Sequence, residues 1–319
     1  MPMSRCIGID TSCYTTSAAC ADGRSIVFSE RTMLSVPFGD RGLRQSDGVF
    51  QHLKQLSPLL KDLFAAVDRT SVGAVAVSVS PTSQEGSYMP VFLVGRQHAE
   101  TLAAALGVPL IPVDHQSGHI RAALYGNEAL LERERFFAVH ISGGTTDVLS
   151  VEPHTDAPYR IERIGMSTDL HAGQFVDRVG VALGLPFPAG AHLETLAEQA
   201  AERNVKLASA VRGGDCSFSG AESAARRMLG QVPDAELAYG VYDCLARTLA
   251  KMFSQAQKEY GRMPFLICGG VASSALLRRL LSERFPEGEL YFGRPELSGD
   301  NAAGAALLGA DRMGAVWKN

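Results

Sequence analysis

No two cysteines of this chain stand in a Cys-x-x-Cys spacing; Cys6, Cys13, Cys20, Cys216, Cys244 and Cys268 lie singly in apolar or turn contexts. That argues against a disulfide framework or a zinc–thiolate site, and it fits a reducing, cytoplasmic setting. Basic residues are not in excess either: 30 Lys and Arg face 34 Asp and Glu, a formal net charge of −4. General affinity for nucleic acid is therefore not expected, although a local basic patch is compatible with this balance. No apolar run nears the roughly 18 residues that a membrane helix needs. The opening Met-Pro-Met-Ser-Arg-Cys runs straight into a strand pattern, without the design of a signal peptide. No low-complexity segment or linker divides the chain. What is present is an apolar share of 46 % with 20 % charged residues, which provides an ample core. A length of 319 residues suggests about two domains.

The apolar patterning gives the organisation. Cys6–Ile9, Thr15–Cys20 and Ser25–Thr32 read as three strands joined by turns, and a polar loop follows over Pro37–Gly48. Phe50–Asp68 reads as an amphipathic helix with Leu53, Leu56, Leu59, Leu60 and Leu63 on one face. Val72–Val79 is a buried strand suited to a parallel sheet, a helix ends at Leu106, and Val108–Val113 is another strand. The pattern then restarts with strands at 136–141, 147–151 and 159–164. Helical stretches follow at about 169–184, 190–204, 217–230 and 234–259. A strand at 265–268, a helix at 274–285, a strand at 290–293 and a helix at 301–313 complete the chain. Two halves that each open with a three-strand meander predict a duplicated α/β unit, with lobes at 1–130 and 131–319 facing a central cleft and the last helix packing back on the first lobe. Ligands favour such crevices.

Within this frame, Asp114-His115-Gln116-Ser117-Gly118-His119 carries two histidines four residues apart, one helical turn on one face. Both imidazoles can point at one cation, and Asp300 in Ser298-Gly299-Asp300-Asn301 is the candidate third ligand. Two histidines and a carboxylate leave positions open for water or a phosphate oxygen. The same residues also fit two surface or capping histidines and a helix N-cap at Asp300. Gln116 stands where a zinc-protease helix carries glutamate, so a protease is disfavoured.

Ser142-Gly143-Gly144-Thr145-Thr146 joins two strands. Its glycines let backbone N–H groups approach an anion, though a plain hairpin turn also accounts for it. Gly269-Gly270-Val271-Ala272-Ser273-Ser274 lies between a buried strand and a helix, the usual place for a nucleotide in an open α/β sheet. Two such turns together with the histidine pair favour a phosphate–metal cleft. Asp177 could accept both hydroxyls of a ribose, or serve as a surface charge beside Arg178, and Gly190 marks the entry of a loop into a helix.

Taken in order, Ile9-Asp10-Thr11-Ser12-Cys13, His115 to His119, Ile141 to Thr146, Ala172 to Asp177, Phe187 to Gly190, Ser217-Phe218-Ser219-Gly220, Gly269-Gly270-Val271 and Gly299-Asp300-Asn301 resemble the universal tRNA threonylcarbamoyl transferase family, long labelled O-sialoglycoprotein endopeptidase. The resemblance implies the actin–hexokinase–heat-shock ATPase fold. It implies one divalent metal, iron or zinc with magnesium as an option, held by His115, His119 and Asp300. It implies an ATP- or AMP-type nucleotide, or threonylcarbamoyl-adenylate, along Ser142, Gly143, Gly144, Thr145, Gly173, Asp177, Gly190, Gly270 and Ser274. The partners it implies are adenine nucleotide, tRNA, and a paralogous subunit or other proteins of a modification complex; no membrane is involved.

The chain departs from the family pattern at several points. Two acidic residues that follow the first-turn cysteine are here Tyr14 and Thr15, and the family's asparagine is here Ser274. Arg44 to Gly48, Ser80 to Ser83, Thr145 and Glu222-Ser223 replace other family residues. The reading is of a diverged paralogue: a metal-dependent, adenine-nucleotide-binding threonylcarbamoyl or carbamoyl transferase of the tRNA-modification type. Asp10 or water is the candidate general base. The rival readings are a non-catalytic nucleotide-binding partner of a modification complex, and a carbamoyltransferase with a small-molecule acceptor.

Overall fold

A computed structural model describes residues 4–12, 14–36, 43–153 and 159–316. Cys13, residues 37–42 of the expected polar loop and residues 154–158 of the next lie outside the described residues. The strands and helices run β1 (Arg5–Asp10), β2 (Thr15–Asp22), β3 (Ser25–Met33), α1 (Gln45–Ala66), β4 (Val72–Ser80), α2 (Phe92–Leu106), β5 (Leu110–Asp114), α3 (His115–Leu124) and β6 (Phe136–Ile141). They continue β7 (Thr146–Pro153), β8 (Tyr159–Met166), α4 (Ala172–Ala182), α5 (Gly190–Ala197), β9 (Ala210–Arg212), β10 (Asp215–Ser217), α6 (Ser219–Met228) and α7 (Asp234–Tyr260). Last come β11 (Phe265–Cys268), α8 (Ala275–Arg284), β12 (Leu290–Phe292), α9 (Pro295–Ser298) and α10 (Ala303–Val316).

The chain forms two compact units. One draws on Met1–Gly126 and Leu297–Asn319, the other on Asn127–His154 and Tyr159–Glu296. Each holds a five-stranded sheet, in the orders β3-β2-β1-β4-β5 and β12-β11-β6-β7-β8. In both, the opening meander is antiparallel and the two later strands join in parallel. The duplication read from the two meanders is therefore present strand for strand. Nearly unbroken apolar runs put β1 and β4 at the middle of one sheet and β6 and β11 at the middle of the other, all buried.

In the first unit α10 packs on β1, β4 and α3. Small residues permit this approach. A Cβ on Gly8 would lie 2.4 Å from the Ala302 carbonyl oxygen, and one on Gly304 would lie 1.9 Å from the Gly118 oxygen. That contact carries the segment just before α10 to the start of α3.

Some element boundaries differ from the sequence reading. Helix α1 begins at Gln45, inside the expected loop, because Arg44 is extended at its N-cap and Asp47 sits in its first turn, where a carboxylate complements the helix dipole. Its buried stripe is Gly48, His52, Leu56, Leu59 and Leu63, whereas Leu53 is exposed. Four of the five expected leucines face inward, Leu56, Leu59 and Leu63 buried and Leu60 packed against the core, and His52 takes the inward place expected of Leu53. The helices expected at 190–204 and 217–230 shorten to α5 and α6, and the β9–β10 hairpin occupies sequence too short and polar to announce strands. Among the described residues no helix is long and apolar enough to cross a membrane.

Candidate functional site

Helix α3 starts at His115 because Asp114 ends β5 in extended conformation and caps it. The Asp114 carboxylate accepts from Ser117 N–H at 2.8 Å and from Ser117 Oγ at 2.6 Å. His115 and His119 then fall on one face, in a helix whose residues from Gln116 to Leu124 are all buried. Asp300 comes from the turn before α10. It is not that helix's cap: Asn301 takes the local role, accepting from Ala303 N–H at 3.0 Å. The Asp300 carboxylate is left free to reach the histidines.

Three ligand atoms converge. His115 Nε2 and His119 Nε2 are 3.0 Å apart, and Asp300 Oδ1 lies 3.2 Å from His119 Nε2 and 3.4 Å from His115 Nε2. Among the described residues this is the cluster of histidine, cysteine and acidic side chains whose geometry would admit a metal ion.

Asp10, at the end of β1, stands directly behind. Its Oδ2 accepts from His115 Nδ1 at 2.8 Å, while its Oδ1 accepts from Ser12 N–H at 2.9 Å and from the Ser12 hydroxyl. The carboxylate is 1 % exposed, so every acceptor position matters. Burial alone would raise its pKa, but the facing His115 and the hydrogen bonds outweigh burial and hold it below the usual range. For His115 burial lowers the pKa, yet Asp10 and then Asp300 raise it well above the ordinary value. Asp300 is held low by the two histidines against its own burial. With its Nδ1 proton donated to Asp10, His115 would present Nε2 as a lone pair toward His119 and Asp300 once a cation displaces the second proton that the raised pKa retains. Two imidazole lone pairs and a carboxylate oxygen at one point form a donor set that fits a divalent cation.

The sequence-predicted turn residues lie in the second unit. Ser142–Thr145 closes the β6–β7 hairpin, with Ser142 N–H donating to the Thr145 carbonyl at 2.9 Å. The N-terminus of α4 abuts it. Gly173 N–H donates to the Ser142 carbonyl at 3.1 Å, and a Cβ on Gly173 would lie 2.7 Å from Gly143 N. A Cβ on Gly143, Gly144 or Gly270 would meet nothing within 4 Å, so these three backbones face open space. One turn further along α4, Asp177 Oδ1 accepts from Ala189 N–H at 2.7 Å and so fixes the loop entering α5 at Gly190. Burial raises the Asp177 pKa. Ser274 caps α8, accepting from Leu277 N–H at 3.1 Å.

Reading the sequence missed several residues that join these pieces. Tyr242, on α7, donates its hydroxyl to the Gly190 carbonyl at 2.9 Å and also hydrogen-bonds Ser274, tying two of the predicted positions together. Glu194, on α5, accepts from Leu276 N–H at 2.8 Å. The Ser217–Gly220 motif is braced by Asp169, which accepts from Phe218 N–H at 2.9 Å and from the Ser217 and Ser219 hydroxyls, while Phe218 stacks on Phe175 with ring centroids 5.5 Å apart. No local pattern marks any of these, because each partner is distant in sequence. In the first turn, where the resemblance implies two acids, Thr15 is buried at the start of β2 and donates its N–H to the Ser12 carbonyl at 3.1 Å.

Comparison with known proteins adds the rest. The family described as TsaD: tRNA N6-adenosine threonylcarbamoyltransferase matches residues 44–307. A tRNA N6-adenosine threonylcarbamoyltransferase of Bacillus licheniformis is 31 % identical over an alignment of 322 residues that covers 95 % of this chain and 90 % of that protein. The activator of the 2-hydroxyisocaproyl-CoA dehydratase from Clostridium difficile, solved with bound ADPNP, is similar with a TM-score of 0.58 at 17 % identity, over 98 % of this chain and 97 % of that one. The ROK hexokinase from Thermus thermophilus is similar with a TM-score of 0.56 at 13 % identity, over 98 % and 99 %. At these identities the two structures bear on the fold alone, and that fold is the duplicated α/β architecture of the actin–hexokinase–heat-shock ATPase type.

Proposed function

The chain belongs to the tRNA N6-adenosine threonylcarbamoyltransferase family, and from that premise we propose that it transfers a threonylcarbamoyl-type group from a carbamoyl-adenylate to adenosine in tRNA, using a divalent metal at His115, His119 and Asp300. The observation that carries this reading is the meeting of His115 Nε2, His119 Nε2 and Asp300 Oδ1 within 3.4 Å, with Asp10 behind. Two nitrogens and one oxygen suit zinc or iron better than magnesium, which prefers oxygen ligands throughout. The ion would polarise the acyl carbonyl and orient the mixed-anhydride end of the donor.

The chain's own groups do the remainder. Asp10 holds the His115 ring and its tautomer; with both oxygens engaged it positions rather than accepts a proton. Open space at Gly143, Gly144 and Gly270 leaves room for a phosphate, with the Gly143 and Gly270 N–H groups as its donors while the Gly144 N–H donates to Ser142 Oγ at 3.3 Å, and the Asp177 oxygen not used by Ala189 serves a ribose hydroxyl. That a fold neighbour carries ADPNP supports an adenine nucleotide here. The acceptor amine attacks the acyl carbon, the bond from that carbon to the phosphate oxygen breaks, AMP leaves, and the amine proton passes to water.

A second reading, a nucleotide-binding partner without catalysis in a modification complex, is favoured by Tyr14 and Thr15 in place of two acids. One experiment separates them. The protein is incubated with tRNA, bicarbonate, threonine, ATP and an upstream adenylate-forming enzyme, and the nucleosides are analysed. A threonylcarbamoylated adenosine that disappears with His115→Ala is the expected result. Its absence, with AMP still bound, assigns the protein to the second reading.

A further inference from the structure

We propose that Arg31 binds an oxyanion, carboxylate or phosphoryl, of the ligand that occupies the His115–His119–Asp300 centre; the proposal rests on the metal reading above only for the identity of that centre. Arg31 lies on β3, the edge strand of the first unit's sheet. Its register partner on β2 is Ser17, whose own partner on β1 is Asp10. Directly opposed residues of antiparallel strands share a face, so Asp10, Ser17 and Arg31 form one row across the sheet. The inner end of that row holds His115. Its middle is buried, with the Ser17 hydroxyl donating to the Asp10 carbonyl at 3.2 Å. Its outer end, Arg31, is exposed.

The Arg31 side chain turns back toward the site. A Cβ built on Gly299 would lie 2.7 Å from Arg31 Nη1 and 3.6 Å from its Cζ, so the guanidinium rests on the residue beside Asp300. Yet it takes neither nearby carboxylate: Asp10 and Asp300 are engaged by the histidines. Arg31 has no ion-pair partner among the described residues. Counting charge at the centre, a divalent ion matches Asp10 and Asp300, and Arg31 adds one positive charge that no carboxylate pairs directly, although Glu30 and Asp62 line the same cavity. A guanidinium with an unused fork beside a charge-balanced centre selects a planar or tetrahedral oxyanion. The absence of a side chain at Gly299 leaves room for the guanidinium there.

The test uses the full chain loaded with zinc, with binding measured by calorimetry. N-carbamoyl-L-threonine supplies a carboxylate and AMP a phosphate. Arg31→Gln should weaken one of the two by about tenfold to a hundredfold, and which one identifies the source of the oxyanion. Arg31→Lys, which keeps charge but loses the fork, should recover part of the loss. Gly299→Ala should push the guanidinium aside and weaken the same probe, but should add nothing in the Arg31→Gln background. Zinc content and thermal midpoint of Arg31→Gln should match the unsubstituted protein. If both probes bind Arg31→Gln as tightly as the unsubstituted protein, or neither binds the latter, the proposal is overturned. If the protein takes up no zinc, the metal reading fails, and the same titrations on metal-free protein still decide the role of Arg31.

Discussion

Asp10→Asn is the sharpest single perturbation of the candidate centre. The two side chains have nearly the same shape, so the change is one of charge and hydrogen-bond direction. In the protein, Asp10 Oδ1 accepts from Ser12 N–H at 2.9 Å, which the asparagine oxygen would retain. The amide NH2 must then face His115 Nδ1, where Asp10 Oδ2 now accepts at 2.8 Å. A donor facing that nitrogen favours the tautomer with its proton on Nε2, the atom turned toward His119 and Asp300. The ring then offers a proton where a cation needs a lone pair. Loss of such an outer partner costs about tenfold to a hundredfold in metal affinity, or about 1.4 to 2.7 kcal/mol. The assay is zinc competition against a chromophoric chelator at fixed pH, with cobalt as a spectroscopic substitute whose visible bands report the ligand set. In a His115→Ala background the Asp10→Asn change should cost nothing further, because the ring it orients is gone. Zinc affinity within twofold of the unsubstituted protein for Asp10→Asn would refute the argument that Asp10 acts through His115.

Two further predictions concern the second unit. Asp147 is 8 % exposed, and burial, partly offset by Arg163, raises its pKa from 3.8 to about 6. A folded-state value above the unfolded one means that the folded protein holds the proton longer, so stability falls as pH rises from about 4 to 6 and remains reduced above. Asp147→Asn should therefore gain up to about 3 kcal/mol at pH 7 and close to nothing at pH 4, read from urea midpoints at the two pH values; equal gains at both would contradict the burial account. Gly173→Ala would set a Cβ 2.7 Å from Gly143 N and from the Ser142 carbonyl oxygen, both main chain and unable to give way. It should lower stability by about 1–3 kcal/mol and weaken AMP binding, whereas Gly190→Ala, whose Cβ meets nothing nearer than 3.9 Å, should leave the melting temperature almost unchanged.

Much of the fold was legible because its signals are local. Strand runs such as Val72–Ser80 and the repeated meander depend on neighbours within a few residues, and the duplicated sheet order follows from them. One position of α1 escaped the local signal for the same reason. Leu56, Leu59, Leu60 and Leu63 pack as the helical period implies, but Leu53 faces outward and its place goes to His52, whose Nδ1 lies 2.8 Å from the Thr16 hydroxyl on β2. Nothing within the helix discloses that contact.

From the chain of letters alone came the four-residue interval that sets His115 above His119, the glycine-bearing bends after β6 and β11, and the paired meanders. Each is a matter of backbone period or of residues that share one bend. Tertiary packing decided what those residues face. It brought Asp300 across 181 positions to His119, set Asp10 behind His115 over 105, and let the Tyr242 hydroxyl reach Gly190 over 52. Such meetings depend on how sheets and helices close on one another, and a carboxylate or phenol carries no mark of its distant partner until small residues such as Gly8, Gly304 and Gly173 have let the backbones approach.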